Sequence, residues 1–506
     1  MINGSGSSSD DEDGLLSIFK AENAVNALIF SQIDISTPSF DGKIKVSFIY
    51  TVGTRDYSSH FTFEDECIKT LTARGIPLNS QNPFFYTIVL SIGLAVLPWI
   101  WMGFVTKSII IKSSVHMNML TTDMQSFWNN LFNNTLIEFI YLHRHIGGVV
   151  DMLPFQLNFE DYNDSVVILS SNNVSNESLE STVLLPIGGG KDSLVAWYLT
   201  SRQSGIQPSL LYVADGLYEY EGNWRLQAIC DKLLALNNNT SVRTSINIVR
   251  HVFVTEEFEK YAKSYYKPSG HPWAALVLFD SVLVSYLKGY QSVAFGYEKS
   301  ANEGNHVFIN GMEINHQYDK SRDFLELAQH YIRSISKQYR GSDITVVSPL
   351  HEMWEIEISR LFCEVPQLND NFMQLFLSCN EPVEYTKWCC KCSKCVFIYL
   401  IVSAWLPPPT VSAIFNNTCL YDQQSLLPLF YNLVDAASIK PFDCVGTENE
   451  AKAAVHLSLL RYQESKIAEL PYCLQQLLAY LSINTEEVMT NDQVLHKWLH
   501  SMDSVE

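Results

Sequence analysis

Apolar and polar residues alternate along Lys43-Ile44-Lys45-Val46-Ser47-Phe48-Ile49-Tyr50, the period of a strand with one buried face. Similar alternation, broken by turn signals, runs through residues 15–80 and predicts further strands. Over residues 84–150 the spacing becomes helical. It is clearest in Phe127-Trp128-Asn129-Asn130-Leu131-Phe132 and in Leu136-Ile137-Glu138-Phe139-Ile140. A polar connector, Ser170-Ser171-Asn172-Asn173-Val174-Ser175-Asn176-Glu177-Ser178, closes this N-terminal α+β region at about residue 170. Short apolar runs and helical segments then take turns. Val183-Leu184-Leu185-Pro186-Ile187 reads as a buried strand, Leu194-Val195-Ala196-Trp197-Tyr198-Leu199 as a helix and residues 210–214 as a second strand. Residues 246–249 and 251–254 both offer a third strand, 274–287 a helix and 292–295 a fourth strand. This order predicts an α/β fold with a parallel, doubly wound sheet over residues 180–405. Pro407-Pro408-Pro409 marks a boundary, and residues 411–506 read as a helical C-terminal region.

Residues 84–104 depart from both periods. They are almost continuously apolar and exceed the roughly 20 residues that span a bilayer. Pro98, Gly93 and Gly103 fit a buried core helix equally well, and hydropathy alone leaves both readings open. The chain has 34 Lys and Arg against 54 Asp and Glu, a net charge of −20, and no basic run. Such a surface repels nucleic acid, so no nucleic-acid partner is expected. Residues 1–14, with Asp10-Asp11-Glu12-Asp13, read as a disordered acidic tail. The tail has neither an apolar signal core nor the arginines of a transit peptide, so a cytoplasmic location is expected. An odd total of eleven cysteines, four of them between Cys389 and Cys395, argues against a secreted disulfide framework.

The chemistry is concentrated after the first parallel strand, in Gly188-Gly189-Gly190-Lys191-Asp192-Ser193. A glycine turn between a strand and a helix aims backbone N–H groups at one point, where the helix dipole favours an anion. This is not a Walker A loop: position 185 is Leu where that motif needs Gly, and Asp192 follows the lysine where it needs Ser or Thr. It resembles instead the Ser-Gly-Gly-x-Asp-Ser loop of PP-loop ATP pyrophosphatases, with Gly188 replacing the first serine. Those enzymes split ATP between the α and β phosphates. Asp215 and Glu298 are expected at the same C-terminal sheet edge, where ligands of such folds bind.

Cys379, Cys389, Cys392 and Cys395 are spaced C-x9-C-x2-C-x2-C, with Cys390 inside the cluster. Four thiolates suit a closed, structural tetrahedral Zn²⁺ site; the alternative is a set of reduced buried cysteines. A polar string follows the fourth strand, Phe295-Gly296-Tyr297-Glu298-Lys299-Ser300-Ala301-Asn302, and leads to Ile314-Asn315-His316-Gln317-Tyr318-Asp319-Lys320-Ser321. Its position suits a site edge, with a solvated loop as the equal alternative. His271, Glu352 and Glu355 carry weaker signals, since a lone histidine or a helix-face glutamate is more often structural.

Together, the glycine loop, Glu298-Lys299-Ser300-Ala301-Asn302, Asn315-His316-Gln317-Tyr318, Ser378-Cys379-Asn380 and Trp388-Cys389-x-x-Cys392-x-Lys394-Cys395 resemble the ATP-dependent UDP-N-acetylmuramoyl-L-alanyl-L-glutamate epimerases. The resemblance is strongest over residues 182–405 and looser over 82–104 and 128–141, which makes 84–104 a core helix. It implies that ATP adenylates the terminal L-Glu carboxylate of a muramoyl dipeptide nucleotide. A base then removes the α-proton, the opposite face is reprotonated, and water releases AMP. Gly188, Gly189, Gly190 and Ser193 are expected to cradle phosphates, and Asp192 to hold Mg²⁺ or orient the β-phosphate. Asp215, Glu298 and Asn302 complete the expected nucleotide site. Lys191 or Lys299 is expected to neutralise developing charge, and His316, His271 or Tyr297 to act as the base. Cys390, the acidic tail and Asn237-Asn238-Asn239 depart from the family pattern and mark a divergent member. Two other functions fit the same motifs: a PP-loop ligase or amidotransferase acting on another carboxylate, and a catalytically silent nucleotide-binding homologue.

Overall fold

The computed structural model describes residues 27–499 apart from 37–41, 74, 164–182, 205–206, 217–218, 237–243, 263–268, 340, 342, 385, 436 and 487–488. The 1–14 tail, the 170–178 connector and Asn237-Asn238-Asn239 lie outside the described residues.

The alternating N-terminal segment forms an antiparallel meander, β1 (Leu28–Ile35), β2 (Lys43–Val52) and β3 (Arg55–Glu64). Period-two alternation puts Ile44, Val46, Phe48 and Tyr50 on one face of β2, and their partners Phe63, Phe61, Ser59 and Tyr57 on the same face of β3. Two short strands, β4 (Ile109–Ile111) and β5 (Leu157–Phe159), extend the β1 edge in parallel.

That apolar face needs a cover, and the cover is helix α1 (Pro83–Phe104). It starts on Asn82, which accepts from Phe85 N–H, with Pro83 in its first turn, and every residue of it is buried. Its polar atoms are matched inside the protein. Thr87 and Ser91 hydroxyls donate to the carbonyls of Pro83 and Thr87, and Ser91 Oγ lies 2.8 Å from the Tyr331 hydroxyl. The stretch long enough for a membrane is therefore enclosed by this protein's own strands and helices. Gly93 lets β1 and β2 come close: a Cβ there would stand 2.6 Å from Phe30 and 2.9 Å from Phe48. Its carbonyl accepts from the Tyr50 hydroxyl at 2.8 Å.

The second half of the chain supplies β6 (Val183–Pro186), β7 (Ser209–Ala214), β8 (Ile246–Val252), β9 (Ser292–Ala294) and β12 (Thr345–Val347), all parallel. A separate two-stranded hairpin, β10 (Phe308–Ile309) with β11 (Met312–Glu313), precedes β12. The first stretch and the start of the second form one strand, β8, which ends at Val252. The fifth parallel strand, β12, is too short to show a period. β3 pairs antiparallel with β8, so a single ten-stranded sheet runs through both halves in the order β12-β9-β6-β7-β8-β3-β2-β1-β4-β5.

Side chains alternate between two cores. Leu184, Leu211 and Val213 enter the first, with α1, α2 (Thr122–Leu142), α5 (Trp273–Lys288) and α6 (Arg322–Tyr339). Val183, Leu185, Leu210 and Tyr212 enter the second, with α3 (Lys191–Ser204), α4 (Trp224–Leu236), α7 (Glu355–Glu364), α8 (Ser393–Ser403) and α9 (Glu448–Glu464). Helices after Pro407-Pro408-Pro409 pack into this second core. The molecule is thus mixed α/β, with a mostly parallel sheet and a helical C-terminal region.

Gly93→Ala is expected to lower unfolding free energy by about 1–3 kcal/mol, the cost of overpacking a filled core. Gly222→Ala, whose Cβ would meet only Glu219 O at 3.9 Å, is expected to change it by less than about 0.5 kcal/mol. Urea denaturation of the two variants checks the contrast.

Candidate functional site

In the parallel half the chain moves from β6 to β7 and β8 on one side, then returns to β9 and β12 on the other. The strand order reverses between β6 and β9. Loops leaving adjacent strands there diverge to opposite sides and open a crevice at the C-terminal ends. The loop after β6 carries residues 188–193, and the loop after β9 carries Gly296, Tyr297 and Glu298.

Three glycines in this crevice are required by shape. Gly189 has φ of +81°, a conformation that favours glycine. A Cβ on Gly190 would stand 2.8 Å from Ser378 Oγ, and one on Gly296 3.0 Å from the Asp192 backbone. Gly188 faces open space. Among the described residues, the N–H groups of Gly188, Gly189 and Gly190 make no backbone hydrogen bond, which leaves them to an anion at the N-terminus of α3. Ser193 Oγ donates to Gly190 O at 2.9 Å, and Leu377 N–H donates to Gly189 O at 3.1 Å.

Lys191 does not point into the crevice. It is fully buried, bonded to Asp192 and held 2.8 Å from Glu355 Oε1. Burial alone would discharge this ammonium, but Asp192 and Glu355 outweigh it and keep the lysine charged. Glu355, a weak signal in the sequence, is the buried partner of the loop lysine; its amide is held by Ser300 Oγ at 3.2 Å. Asp192 keeps its carboxylate partly exposed. Burial opposes its ionisation, and Lys191, Lys394 and Lys320 overcome that to hold it low.

Glu298 is buried at the same place. Burial raises it and Asp192 adds to the rise, against the pull of Lys320 and Lys394. The cations that face the crevice carboxylates are therefore Lys320 and Lys394. Lys299 lies with Nζ 4.3 Å from the centre of the Trp354 ring. Asn302 donates to Lys299 O at 2.8 Å and accepts from Arg322 N–H at 2.7 Å, so its amide joins two loops. Asp215 follows β7 and precedes Gly216, at the neighbouring strand end.

The three residues considered as base sit in different states. Tyr297 is a core residue: its ring stacks on Phe295, its hydroxyl donates to Ala274 O at 3.3 Å, and burial pushes its phenol further up. His316 Nδ1 lies 2.6 Å from Glu138 Oε2. Burial would lower this imidazole, but hydrogen bonds to Cys444 and Glu138 push it up to about 10. His271 packs on Trp99 and is pushed down to about 4, first by burial and then by the nearby charge of His316. Its Nδ1 is buried and has no hydrogen-bond partner among the described residues. Sequence reasoning missed Glu138 and Cys444. For Glu138 a signal existed, a single carboxylate within the buried stretch Thr135–Ile140 of α2.

The four cysteines meet. The sulfurs of Cys379, Cys389, Cys392 and Cys395 lie within 4.8 Å of one another, with Cys379–Cys395 at 3.4 Å, Cys389–Cys395 at 3.6 Å and Cys379–Cys392 at 4.0 Å. Tetrahedral thiolates about 2.3 Å from a zinc ion would be separated by about 3.8 Å, so the set can hold a metal. Backbone N–H groups of Cys389, Cys392 and Cys395 point at neighbouring sulfurs at 3.4–3.5 Å. Cys390 takes a left-handed conformation, φ of +58°, that turns its sulfur out of the group toward Asn416 and the carbonyls of Trp388 and Phe415.

Residues 106–340 match the family model described as the MurL N-terminal domain, and residues 375–487 match the MurL C-terminal domain. A UDP-N-acetyl-alpha-D-muramoyl-L-alanyl-L-glutamate epimerase of Xanthomonas oryzae is 28% identical over 281 residues, covering 54% of this chain and 55% of that protein. The protein of the same name from a Micromonospora species is 31% identical over 201 residues, 39% of this chain and 42% of its own length. That of Salinispora tropica is 28% identical over 194 residues, 37% and 40%. The chain spans about half the length of the curated relatives it matches. With both family domains present in order around one crevice, the chain belongs to the MurL family.

Proposed function

We propose that this chain is an ATP- and Mg²⁺-dependent epimerase. It would convert the terminal L-Glu of UDP-MurNAc-L-Ala-L-Glu to D-Glu through an acyl-adenylate, releasing AMP and diphosphate. The observation that supports this reading most is the meeting, at one crevice, of an anion-binding glycine loop with a charged cluster able to move protons. The relatives' names supply the substrate.

The residues present fit nucleotide binding. The free N–H groups of Gly188, Gly189 and Gly190 and the start of α3 bind phosphate oxygens. Asp192, ionised and partly exposed, is the carboxylate placed to hold Mg²⁺, which when bound neutralises phosphate charge. Lys320 and Lys394 counter the charge that develops as the carboxylate attacks the α-phosphate. Lys191 acts indirectly, by fixing Asp192 from within the protein. An acyl adenylate is a stronger carbon acid than a carboxylate, because no full negative charge opposes enolate formation. His316, held as imidazolium, cannot accept the α-proton and serves as a fixed positive charge. His271, neutral and with an unpartnered nitrogen, is the histidine in basic form. The cysteine cluster, as a closed zinc centre, stabilises the loop through Leu377 and Ser378 and takes no part in the reaction.

The test of the reading is incubation with ATP, Mg²⁺ and the L-Ala-L-Glu muramoyl nucleotide in deuterated water. Substrate-dependent AMP release with deuterium at the Glu α-carbon is expected. AMP formed only when an amine is added would point to a ligase, and ATP binding without turnover to a silent homologue.

Lys191→Met, which leaves two buried carboxyl groups without their cation, is expected to cost about 3–5 kcal/mol in stability. Glu355→Gln keeps an acceptor for the lysine and should cost about 1 kcal/mol. Thermal and chemical denaturation compare the two. Native mass spectrometry should find one zinc ion per chain. Cys392→Ala should release it, whereas Cys390→Ala should retain it.

A further inference from the structure

Cys444 belongs to no part of the cysteine cluster and has no role in the reading above, yet it sits among the charged groups of the crevice. It is partly exposed, on the loop that precedes α9. Lys320 Nζ donates to its sulfur at 3.0 Å, and the charged ring of His316 adds to the pull that lowers the thiol. His316 Nδ1 is taken by Glu138. Glu138 is held in turn by the Ser269 hydroxyl at 2.5 Å. The result is a line of carboxylate, imidazole and thiol, with a second cation on the sulfur.

Three side chains hold the loop in this place. Asn305 Nδ2 donates to the carbonyls of Lys440 and Pro441 at 3.1 and 3.0 Å, while its Oδ1 accepts from His316 N–H at 2.8 Å. Gln317 Nε2 donates to Val445 O at 3.1 Å, and Lys394 Nζ bonds Cys444 O. Asn305 thus fixes thiol loop and histidine loop in one register. A sulfur needed only for packing would not require two cations and three anchoring side chains. Burial alone would raise this thiol, but Lys320, His316 and Lys394 hold it well below the ordinary range, as thiolate.

We propose that Cys444 is a proton carrier of the epimerisation, the group that takes the α-proton on one face of the adenylated glutamyl residue. This rests on the epimerase reading above. In the step, the Cα–H bond breaks and its electron pair moves into the enolate, while the sulfur lone pair forms S–H. A second acid forms the new Cα–H bond on the opposite face, and solvent exchange restores both groups. His316 stays charged throughout as the counterion that makes the thiolate available, and Lys320 fixes the sulfur's direction. Thiolates suit this work: they are soft, weakly solvated bases whose proton exchanges quickly with water.

The test uses the full-length protein with Cys444→Ser and Cys444→Ala. Pyrophosphate release and α-deuterium incorporation are followed separately, starting from each Glu epimer. Both variants are expected to release pyrophosphate within about threefold of the wild-type rate with unchanged KM for ATP, because adenylation does not use the thiol. Deuterium incorporation is expected to fall by at least roughly 100-fold, the usual contribution of a positioned acid or base. Deuterium incorporation near the wild-type rate in either variant overturns the assignment. Loss of pyrophosphate release and exchange together also overturns it, since that marks a positioning role in the nucleotide site. A wild-type protein that adenylates nothing and exchanges nothing sinks the epimerase reading itself, and Cys444's role with it.

Discussion

Everything at the crevice depends on one lysine being kept charged where no water reaches it. Lys191 is fully buried and stands between Asp192 and Glu355. Isolated in such a place, an ammonium would lose its proton. Two carboxyl groups prevent that, one from the start of α3 and one from the start of α7. The constraint is mutual. Asp192 remains ionised because the lysine is there, and Glu355 is buried because the lysine accepts it. The pairing adds little net stability over a hydrophobic trio of similar volume. What it supplies is position: a carboxylate fixed at the mouth of the glycine loop, with its charge supported from below.

A second constraint binds that loop to the cysteines. Leu377 N–H holds Gly189 O, and Ser378 presses on Gly190, one residue before Cys379. The backbone that carries the first sulfur is thus the backbone that shapes the glycine turn. Cys392 caps α8 by accepting from Cys395 N–H, so the last two sulfurs are set by a helix start. Lys394, between them, reaches the Cys444 carbonyl. A metal at the four sulfurs would therefore stiffen three things at once: the glycine turn, α8 and the Cys444 loop. Such a closed site, with no coordination position left for chemistry, would act only through the elements it holds.

Much of this was legible before any coordinates. Strand alternation in β2, the buried strand β6, the glycine loop and the four cysteines all follow from spacing, because each is set by local geometry. What was not legible has a common cause. Lys191 looks like a phosphate ligand because its surroundings in sequence are those of a phosphate loop. Only tertiary structure brings Glu355 to it from 164 positions away. Glu355 itself resembles any acidic residue at a helix start. β12 escapes because three residues carry no period. The helix α1 shows the converse: its hydropathy alone allowed two environments, and the meander's apolar face decides between them.

The proton inventory of the crevice follows from the same kind of competition. His316 and His271 adjoin each other, and a low-dielectric interior does not hold two adjacent imidazolium ions. Glu138 selects which one is charged, by bonding His316 at 2.6 Å. His271 is left neutral against Trp99. The charge on His316 then favours a thiolate at Cys444, where Lys320 adds a second cation. One buried carboxylate thereby sets the charges around it: an imidazolium at His316, a neutral imidazole at His271 and a thiol drawn down at Cys444. Removing Glu138 would do more than free a histidine: it would let His271 compete for the proton and return Cys444 toward an ordinary thiol. Such mutual dependence is what a proton-transfer site would require; in a chance cluster of polar groups each member would titrate on its own.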